Sequence, residues 1–280
     1  MAKKKKVTTT VTTTVTEEIV NVPTNEKTQI ICILDRSGSM SSIMTDSIGG
    51  FNTFLKQQKE LKDEATLTVA LFDDKYELLY DDVNINKVEE LTNKIWFPRG
   101  TTALYDAIGK TINTVKANHA RLGDERPSKV LVCIVTDGME NASHEYKLDS
   151  IKKLIKECEN DDWNFMYLAA NQDAFAVGTS FGVSAGNTFT YKANAMGVAD
   201  MSNIMYSATA SYRGMDSNSA DFKTRSKSLI DDKDDVKNSG SITVDGTNIG
   251  FSNGNITVTA GDPSLKFTTS NNTADIPENK

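Results

Sequence analysis

The chain has 280 residues, enough for one domain of about 200 residues with extensions or for two small domains. Its net charge of −7 argues against a nucleic-acid-binding protein, which usually carries at least one basic face. No apolar run approaches the roughly 18 residues that span a membrane. The three cysteines match no disulfide or zinc pattern. We therefore predict a cytoplasmic protein, with buried free thiols at Cys32 and Cys133.

Residues 1–27 form a low-complexity segment in which four lysines precede stretches rich in threonine. Nothing in this segment can build a core, so its composition indicates a disordered arm. Threonine and valine also favour strands. The alternative is therefore an arm that becomes ordered when it adds a strand to the sheet edge of a partner.

From residue 28 the chain alternates between two kinds of pattern. Short apolar runs typical of strands buried on both faces lie at 30–34, 67–72, 130–135 and 165–170. Helical spacing of apolar residues occurs at 44–55, 104–115, 148–158 and 194–213. Weaker patterns indicate an antiparallel edge strand at 77–83 and a last strand at 188–191. Together they predict a Rossmann-like, doubly wound α/β domain at 28–214, with a mostly parallel sheet flanked by helices.

The chain becomes polar again after this domain. Residues 215–240 are charged and predict a linker or a helix. Residues 241–280 contain alternating β-branched runs separated by Asp245-Gly246 and Asn253-Gly254, which are hairpin signals. They predict a small β-meander, which is too short to be stable alone and needs a partner, an oligomer or the main domain.

Polar loops follow the predicted strands or precede a predicted helix. In doubly wound folds, ligands bind at the carboxyl ends of the strands, so these loops should converge there. They are Asp35-Arg36-Ser37-Gly38-Ser39, Arg99-Gly100-Thr101-Thr102-Ala103 and Thr136-Asp137-Gly138. Such loops supply carboxylates and hydroxyls, the oxygen ligands that a hard cation such as Mg²⁺ prefers. Glycine at position 38 should let its loop turn tightly, and the following helix should begin near Ser41.

The order and spacing of these residues resemble the metal-ion-dependent adhesion site of von Willebrand factor A domains. The resemblance covers about residues 28–214. It rests on Asp35-x-Ser37-x-Ser39, on a threonine of the Gly-Thr-Thr loop and on Thr136-Asp137-Gly138. The flanking residues, such as Ala103-Leu104-Tyr105-Asp106, are similar to those of bacterial and phage cytoplasmic members of this family.

The resemblance implies specific roles at a Mg²⁺ or Mn²⁺ site. The hydroxyls of Ser37, Ser39 and one threonine would contact the metal. Asp35 and Asp137 would act largely through water or through bonds to those hydroxyls. Thr102 is the preferred threonine because it directly precedes Ala103-Leu104-Tyr105-Asp106, and Thr101 is the alternative.

Neutral hydroxyls leave most of the cation's charge available, and family members complete the metal shell with a carboxylate from a partner protein. The resemblance therefore implies a protein-interaction module, an adaptor or regulator, rather than an enzyme. We expect Glu140 and Asn141 to lie around the ion together with Arg36 and Arg99. The two arginines would form a cationic rim that favours an acidic partner, and Glu140 would partly oppose it. The alternative is a structural assembly protein, such as a phage virion component. Hydrolysis is disfavoured because a serine nucleophile needs a base, and we expect His119 and His144 to face solvent on helices.

Overall fold

A computed structural model describes residues 26–230, 240–244, 247–252 and 255–259. Almost all of the arm at 1–27 lies outside these ranges, as do parts of the linker and of the tail, so the prediction of a disordered arm stays a prediction.

Strands and helices alternate along the first part of the chain, as the apolar patterns predict. The strands are β1 (Thr28–Asp35), β2 (Ala65–Phe72), β3 (Tyr76–Asn84), β4 (Lys129–Thr136), β5 (Trp163–Ala170) and β6 (Thr188–Tyr191). The helices are α1 (Met44–Lys59), α2 (Leu104–Leu122), α3 (Leu148–Asn160), α4 (Ala174–Ser180), α5 (Ala195–Arg213) and the short α6 (Phe222–Arg225).

The six strands form one sheet in the order β3-β2-β1-β4-β5-β6. Every neighbouring pair is parallel except β2 and β3, which are antiparallel, so β3 is the edge strand that the sequence predicts. All residues of β1, β2, β4 and β5 are buried, because helices cover both faces of the sheet. The predicted Rossmann-like fold with a mostly parallel sheet is confirmed.

The helices divide between the two faces. One apolar core packs α1 and α5 against the sheet, with residues such as Phe51, Phe54 and Met205 buried between them. The other core packs α2 and α3 on the opposite face, around Ile108 and Ile155. This arrangement brings the carboxyl ends of all five parallel strands to one edge of the sheet, where the polar loops meet.

The chain after α5 continues to pack on the first of these cores. Phe222 and Ile230 are buried there, and the Ile230 N–H donates to the Gly186 carbonyl at 2.9 Å. A second sheet of three antiparallel strands follows, formed by β7 (Gly240–Val244), β8 (Thr247–Ser252) and β9 (Asn255–Thr259).

The structure confirms the prediction for two cysteines and contradicts the prediction for a histidine. Cys32 and Cys133 are free and buried, as predicted. The expectation that His119 faces solvent is wrong, because it lies on the inner face of α2 and its Nε2 is 2.6 Å from the Gln29 Oε1 atom. His144 is exposed but lies in a loop rather than a helix. No helix in the described part of the chain is long and apolar enough to cross a membrane.

Candidate metal site

Asp35 is the last residue of β1, and its carboxylate organises the loop that follows. It is fully buried, and its Oδ1 accepts the Ser37 N–H at 2.6 Å. Its Oδ2 accepts the Thr136 hydroxyl, also at 2.6 Å, which joins the loop to the end of the neighbouring β4. The chain then makes a 3-10 turn at Gly38–Ser42, and α1 begins only at Met44. The predicted helix start near Ser41 is therefore wrong by three residues.

Three hydroxyl groups from two loops face the same small space. The oxygens of Ser37 and Ser39 lie 2.9 Å apart, and the Ser39 hydroxyl donates to Asp137 Oδ1 at 2.6 Å. A β-carbon built on Gly138 would lie 2.8 Å from Thr102 Oγ1, 3.3 Å from Ser39 Oγ and 3.5 Å from Ser37 Oγ. Glycine at position 138 thus leaves open the space on which the three hydroxyls converge.

The geometry favours Thr102 over Thr101 as the threonine of this cluster. Thr102 is buried, and its N–H donates to Asn141 Oδ1 at 2.9 Å while its carbonyl accepts the Asn141 N–H at 3.0 Å. These bonds fix its hydroxyl beside Gly138. Thr101 is exposed. Asn141, expected to ring the ion, instead holds this threonine in position.

The glycines of the two loops have different physical roles. Gly38 does not adopt a positive φ; its N–H donates to the Gly100 carbonyl at 3.1 Å, and a β-carbon there would approach that oxygen to 3.3 Å. Close approach of the two loops, rather than a special turn, therefore explains glycine at position 38. Gly100 does have a positive φ of 64°, and a β-carbon there would overlap the Asp74 carboxylate.

Asp73, which the sequence motifs did not indicate, binds the two metal-site loops together. Its fully buried Oδ2 accepts the Nε of Arg36 at 3.0 Å and also the Nε of Arg99. Its Oδ1 accepts the Lys75 N–H at 2.6 Å. Asp73 directly follows the buried strand β2, so a search for polar residues at the carboxyl ends of strands would have identified it.

The predicted cationic rim is wrong for Arg36. Its side chain is only 1% exposed, because it is directed inwards and pairs with Asp73 and with Glu77, the latter at 2.7 Å. Arg99 is 38% exposed and remains the one arginine of the predicted pair that reaches solvent. The field around the site is therefore less positive than the sequence suggests.

Glu140 is bonded within its own loop instead of facing the predicted ion. Its Oε1 accepts the N–H groups of Ala142 and Ser143, at 2.9 and 2.7 Å. Its Oε2 accepts the Ser143 hydroxyl and the N–H of Tyr105 at the start of α2. The carboxylate thus fixes the β4–α3 loop to the amino end of α2 and does not oppose an acidic partner as a free charge would.

Asp106 provides the second anchor of the same loop. Its two carboxylate oxygens accept the N–H groups of His144, Glu145 and Tyr146, at 2.8–3.0 Å. The hydrogen bonds from these three groups outweigh the effect of burial and lower the pKa of the carboxyl.

We expect Asp106→Asn to lower the free energy of unfolding by about 2 kcal/mol at pH 7, since an amide cannot accept all three N–H groups. The folded-state pKa of Asp106 is lowered, so its contribution is present above the unfolded pKa and is lost as the pH falls through the folded pKa. The stability difference between the two proteins should therefore shrink on acidification. Urea titrations between pH 7 and pH 3 measure it. Asp200→Asn, on the exposed side of α5, is the control, and a difference that grew in acid would contradict the assignment.

Burial raises the pKa of Asp35 to about 6, despite hydrogen bonds from Thr136 and Ser37 that lower it. Burial also raises the pKa of Asp137, against the hydrogen bond from Ser39. A nearby cation would offset the cost of burying these carboxylates. In the described ranges no three His, Cys, Asp or Glu side chains are grouped as metal ligands, so a metal here would depend on the hydroxyls. Hydroxyl and carboxylate oxygens suit a hard divalent cation.

No family model and no curated protein matches this sequence. Similar solved structures include a von Willebrand factor type A protein from Catenulispora acidiphila, with 11% identity, a TM-score of 0.45, and coverage of 65% of this chain and 42% of that one. The vWF domain of a type V pili tip protein from Porphyromonas gingivalis has 10% identity, a TM-score of 0.46, and coverage of 64% and 95%. Proximal thread matrix protein 1 from the mussel byssus, with a zinc-occupied MIDAS motif, has 15% identity, a TM-score of 0.43, and coverage of 63% and 44%.

This chain spans less than half the length of the mussel and Catenulispora proteins. The Catenulispora and Porphyromonas structures are von Willebrand factor domains, the family whose loop sequences those of this chain resemble. At such identities and scores they do not bear on what this chain binds. The fold is defined by the order of the strands in the sheet, and the candidate site is defined by its own hydrogen bonds.

Proposed function

We propose that this protein is a metal-dependent protein-interaction module that captures an acidic side chain of a partner on a bound divalent cation. The observation that carries the proposal is the convergence of the Ser37, Ser39 and Thr102 hydroxyls on the space beside Gly138. Mg²⁺ and Mn²⁺ are the cations that suit this oxygen set best.

The charge of the site supports capture of a carboxylate. The three hydroxyls are neutral, and both site carboxylates already accept hydrogen bonds, Asp35 from Thr136 and Ser37 and Asp137 from Ser39. A cation held by the hydroxyls would therefore keep much of its positive charge. A carboxylate from outside the chain is the ligand that such a cation attracts most strongly.

We further propose that the module acts by binding and without catalysis. A serine nucleophile needs a positioned base. His119 bonds to Gln29 near the amino end of β1, far from the loop that follows Asp35. The backbone N–H of His144 donates to the Asp106 carboxylate, and this histidine is exposed. Neither histidine supports hydrolysis at the hydroxyls. Within this proposal the chain serves as a cytoplasmic adaptor or regulator.

Calorimetric titration of Mg²⁺ and of Mn²⁺, with and without an acetylated peptide containing one glutamate, tests the proposal. We expect the wild type to bind metal and peptide together, and EDTA to release the peptide. Ser37→Ala/Ser39→Ala should weaken metal binding at least about 100-fold, since it removes two direct ligands. Ser41→Ala is the matched control, because Ser41 is exposed in the same loop and its hydroxyl bonds only to the Gly38 carbonyl. Equal binding by both variants, or no binding by the wild type with peptide present, would refute the proposal.

A second candidate function is structural, with this domain as a cementing module in a larger assembly such as a phage virion. The observation that favours it is the three-stranded antiparallel sheet β7-β8-β9, whose strands have only five or six residues each. A sheet of this size needs packing against another surface for stability. Co-purification in a large complex that is lost on deletion of residues 240–280 would support assembly, whereas a monomeric chain with EDTA-sensitive peptide binding would support the adaptor.

A further inference from the structure

Large apolar side chains are exposed beside the candidate metal site. Met139, Phe175 and Met196 are 71%, 58% and 76% exposed, and only Phe97 joins them among the large hydrophobic residues that the structure describes. Met139 follows β4, Phe175 lies in the first turn of α4 after β5, and Met196 lies in the first turn of α5 after β6. Because β4, β5 and β6 are neighbours in the sheet, these three residues, here called the apolar stripe, stand along one edge.

Hydrogen bonds link the neighbouring loops and strand ends beside which the apolar stripe lies. The Gln172 side chain donates to the Gly138 carbonyl at 3.2 Å, which connects the loop after β5 with the loop after β4. The Ala174 N–H donates to Thr190 Oγ1 at 3.1 Å, which connects the start of α4 with β6. Asp173 caps the amino end of α4, because its side chain accepts a hydrogen bond from the Ala176 N–H. The stripe is thus presented on fixed backbone.

The apolar stripe begins at the metal site and leads away from it. Met139 directly follows Gly138, the residue beside which the three hydroxyls converge. Adjacent strands lie about 4.8 Å apart, so the loop after β6 stands roughly 10 Å beyond the loop after β4. Three large exposed apolar side chains at the same sheet edge as a candidate ligand site point to an interaction surface there.

The opposite side of the metal site has a different character. Phe97 lies there with the Arg99 guanidinium 5.3 Å from its ring centre, so a charge covers that aromatic side chain. Asp74 and Glu77, both exposed, follow β2 on the same side. Among the described residues, large exposed apolar side chains that no charge covers therefore lie on only one side of the candidate metal site, which gives a bound segment a preferred direction.

We propose that the apolar stripe is the second half of the partner-docking surface, and that the partner segment has bulky apolar side chains within about four residues of its acidic residue, on one side only. This inference rests on the proposed function, because the acidic residue is the one that binds the metal. An extended segment advances about 3.4 Å per residue, so four residues span the stripe.

The overall charge of the chain gives a reason why the partner segment would carry apolar side chains beside a single acidic residue. With a net charge of −7, the protein repels an acidic partner at long range, which lowers the rate of encounter. Additional carboxylates on the partner would increase that repulsion. Apolar contacts with Met139, Phe175 and Met196 add affinity without adding charge.

Three probe peptides test the inference on the full chain at saturating Mn²⁺. Each has one aspartate; one carries leucine and phenylalanine on its carboxyl side, one carries them on its amino side, and one has serine throughout. We expect one apolar peptide to bind at least about tenfold more tightly than the serine peptide. The variant Met139→Ser/Phe175→Ser/Met196→Ser should remove this preference while metal binding and the affinity for the serine peptide stay unchanged. Phe97→Ser, on the charged side, should keep the preference.

The outcomes separate this inference from the proposed function. Equal binding of all three peptides to the wild type, released by EDTA, would overturn the inference and leave the proposed function supported. Failure of every peptide to bind the metal-loaded protein would overturn both. Sedimentation of the wild type as a dimer and of the triple variant as a monomer would show that a second copy covers the stripe, which would also overturn the inference.

Discussion

Asp73→Ala is expected to lower the free energy of unfolding by about 3–5 kcal/mol. The reason is the charge that it leaves behind. Arg36 is 1% exposed and donates to Asp73 at 3.0 Å, so removal of the carboxylate leaves a buried guanidinium with only Glu77 as its charged partner. Arg99 loses the same acceptor but can turn towards solvent. Urea denaturation at pH 7 measures the change.

A second substitution should relieve part of this cost. In Arg36→Met/Asp73→Ala both buried charges are gone, and an apolar side chain of similar length takes the place of the guanidinium. Replacement of a whole buried pair is much less costly than removal of one partner, so the double variant should be more stable than Asp73→Ala. Asp74→Ala, the exposed neighbour, is the control and should change stability by less than about 0.5 kcal/mol. If Asp73→Ala were as stable as this control, the buried pair would not hold the loops.

The sequence predicted the sheet and helices because their signals are local. The apolar run at Ile30–Leu34 indicates a strand buried on both faces wherever it occurs. The residues Leu104, Ile108 and Ile112 share one face of a helix whatever lies opposite. Such patterns need only the neighbouring residues, and the resulting order of elements restricts the topology to a doubly wound sheet. Because ligands of such sheets bind at the carboxyl ends of the strands, the sequence also predicted that the three polar loops meet there.

The features that the sequence did not reveal depend on residues that are far apart in the chain. Arg36 is buried because Asp73 lies at the end of the next strand in the sheet, 37 residues away, and no local period encodes that pair. His119 is buried because its partner, Gln29, is 90 residues distant. Arginine side chains are mostly exposed in proteins and histidine is intermediate, so residue type alone did not predict the buried environment of either.

Contacts between residues far apart in the chain also explain the roles of Glu140 and Asn141. Their position after Thr136-Asp137-Gly138 suggested residues that surround an ion. The structure directs both side chains to the neighbouring α2 segment, Asn141 to the Thr102 N–H and Glu140 to the Tyr105 N–H. These hydrogen bonds hold the backbone that carries Thr102 in place. Only the three-dimensional arrangement of the two loops distinguishes this role from metal contact.

Gly138→Ala is expected to abolish metal binding while every candidate ligand remains in place. The added methyl group would stand 2.8 Å from Thr102 Oγ1 and within 3.5 Å of both serine oxygens, in the space that a cation would need. Thr102 is buried and β-branched, so it cannot easily turn aside. The backbone itself tolerates alanine, because Gly138 is not among the glycines with a positive φ. We expect a loss of metal affinity of at least about 100-fold, at a cost in stability of about 1–3 kcal/mol.

Gly49→Ala is the matched control for this substitution. An added β-carbon at Gly49 meets no atom within 4 Å, and alanine favours the helix α1 in which it lies, so the control should bind metal normally and unfold at the same or a higher temperature. Melting curves with and without Mn²⁺ compare the variants. The wild type and Gly49→Ala should gain thermal stability from the metal, and Gly138→Ala should not. A gain by Gly138→Ala equal to that of the wild type would mean that the cation does not occupy the space between the three hydroxyls, and the ligand set would then have to be sought elsewhere.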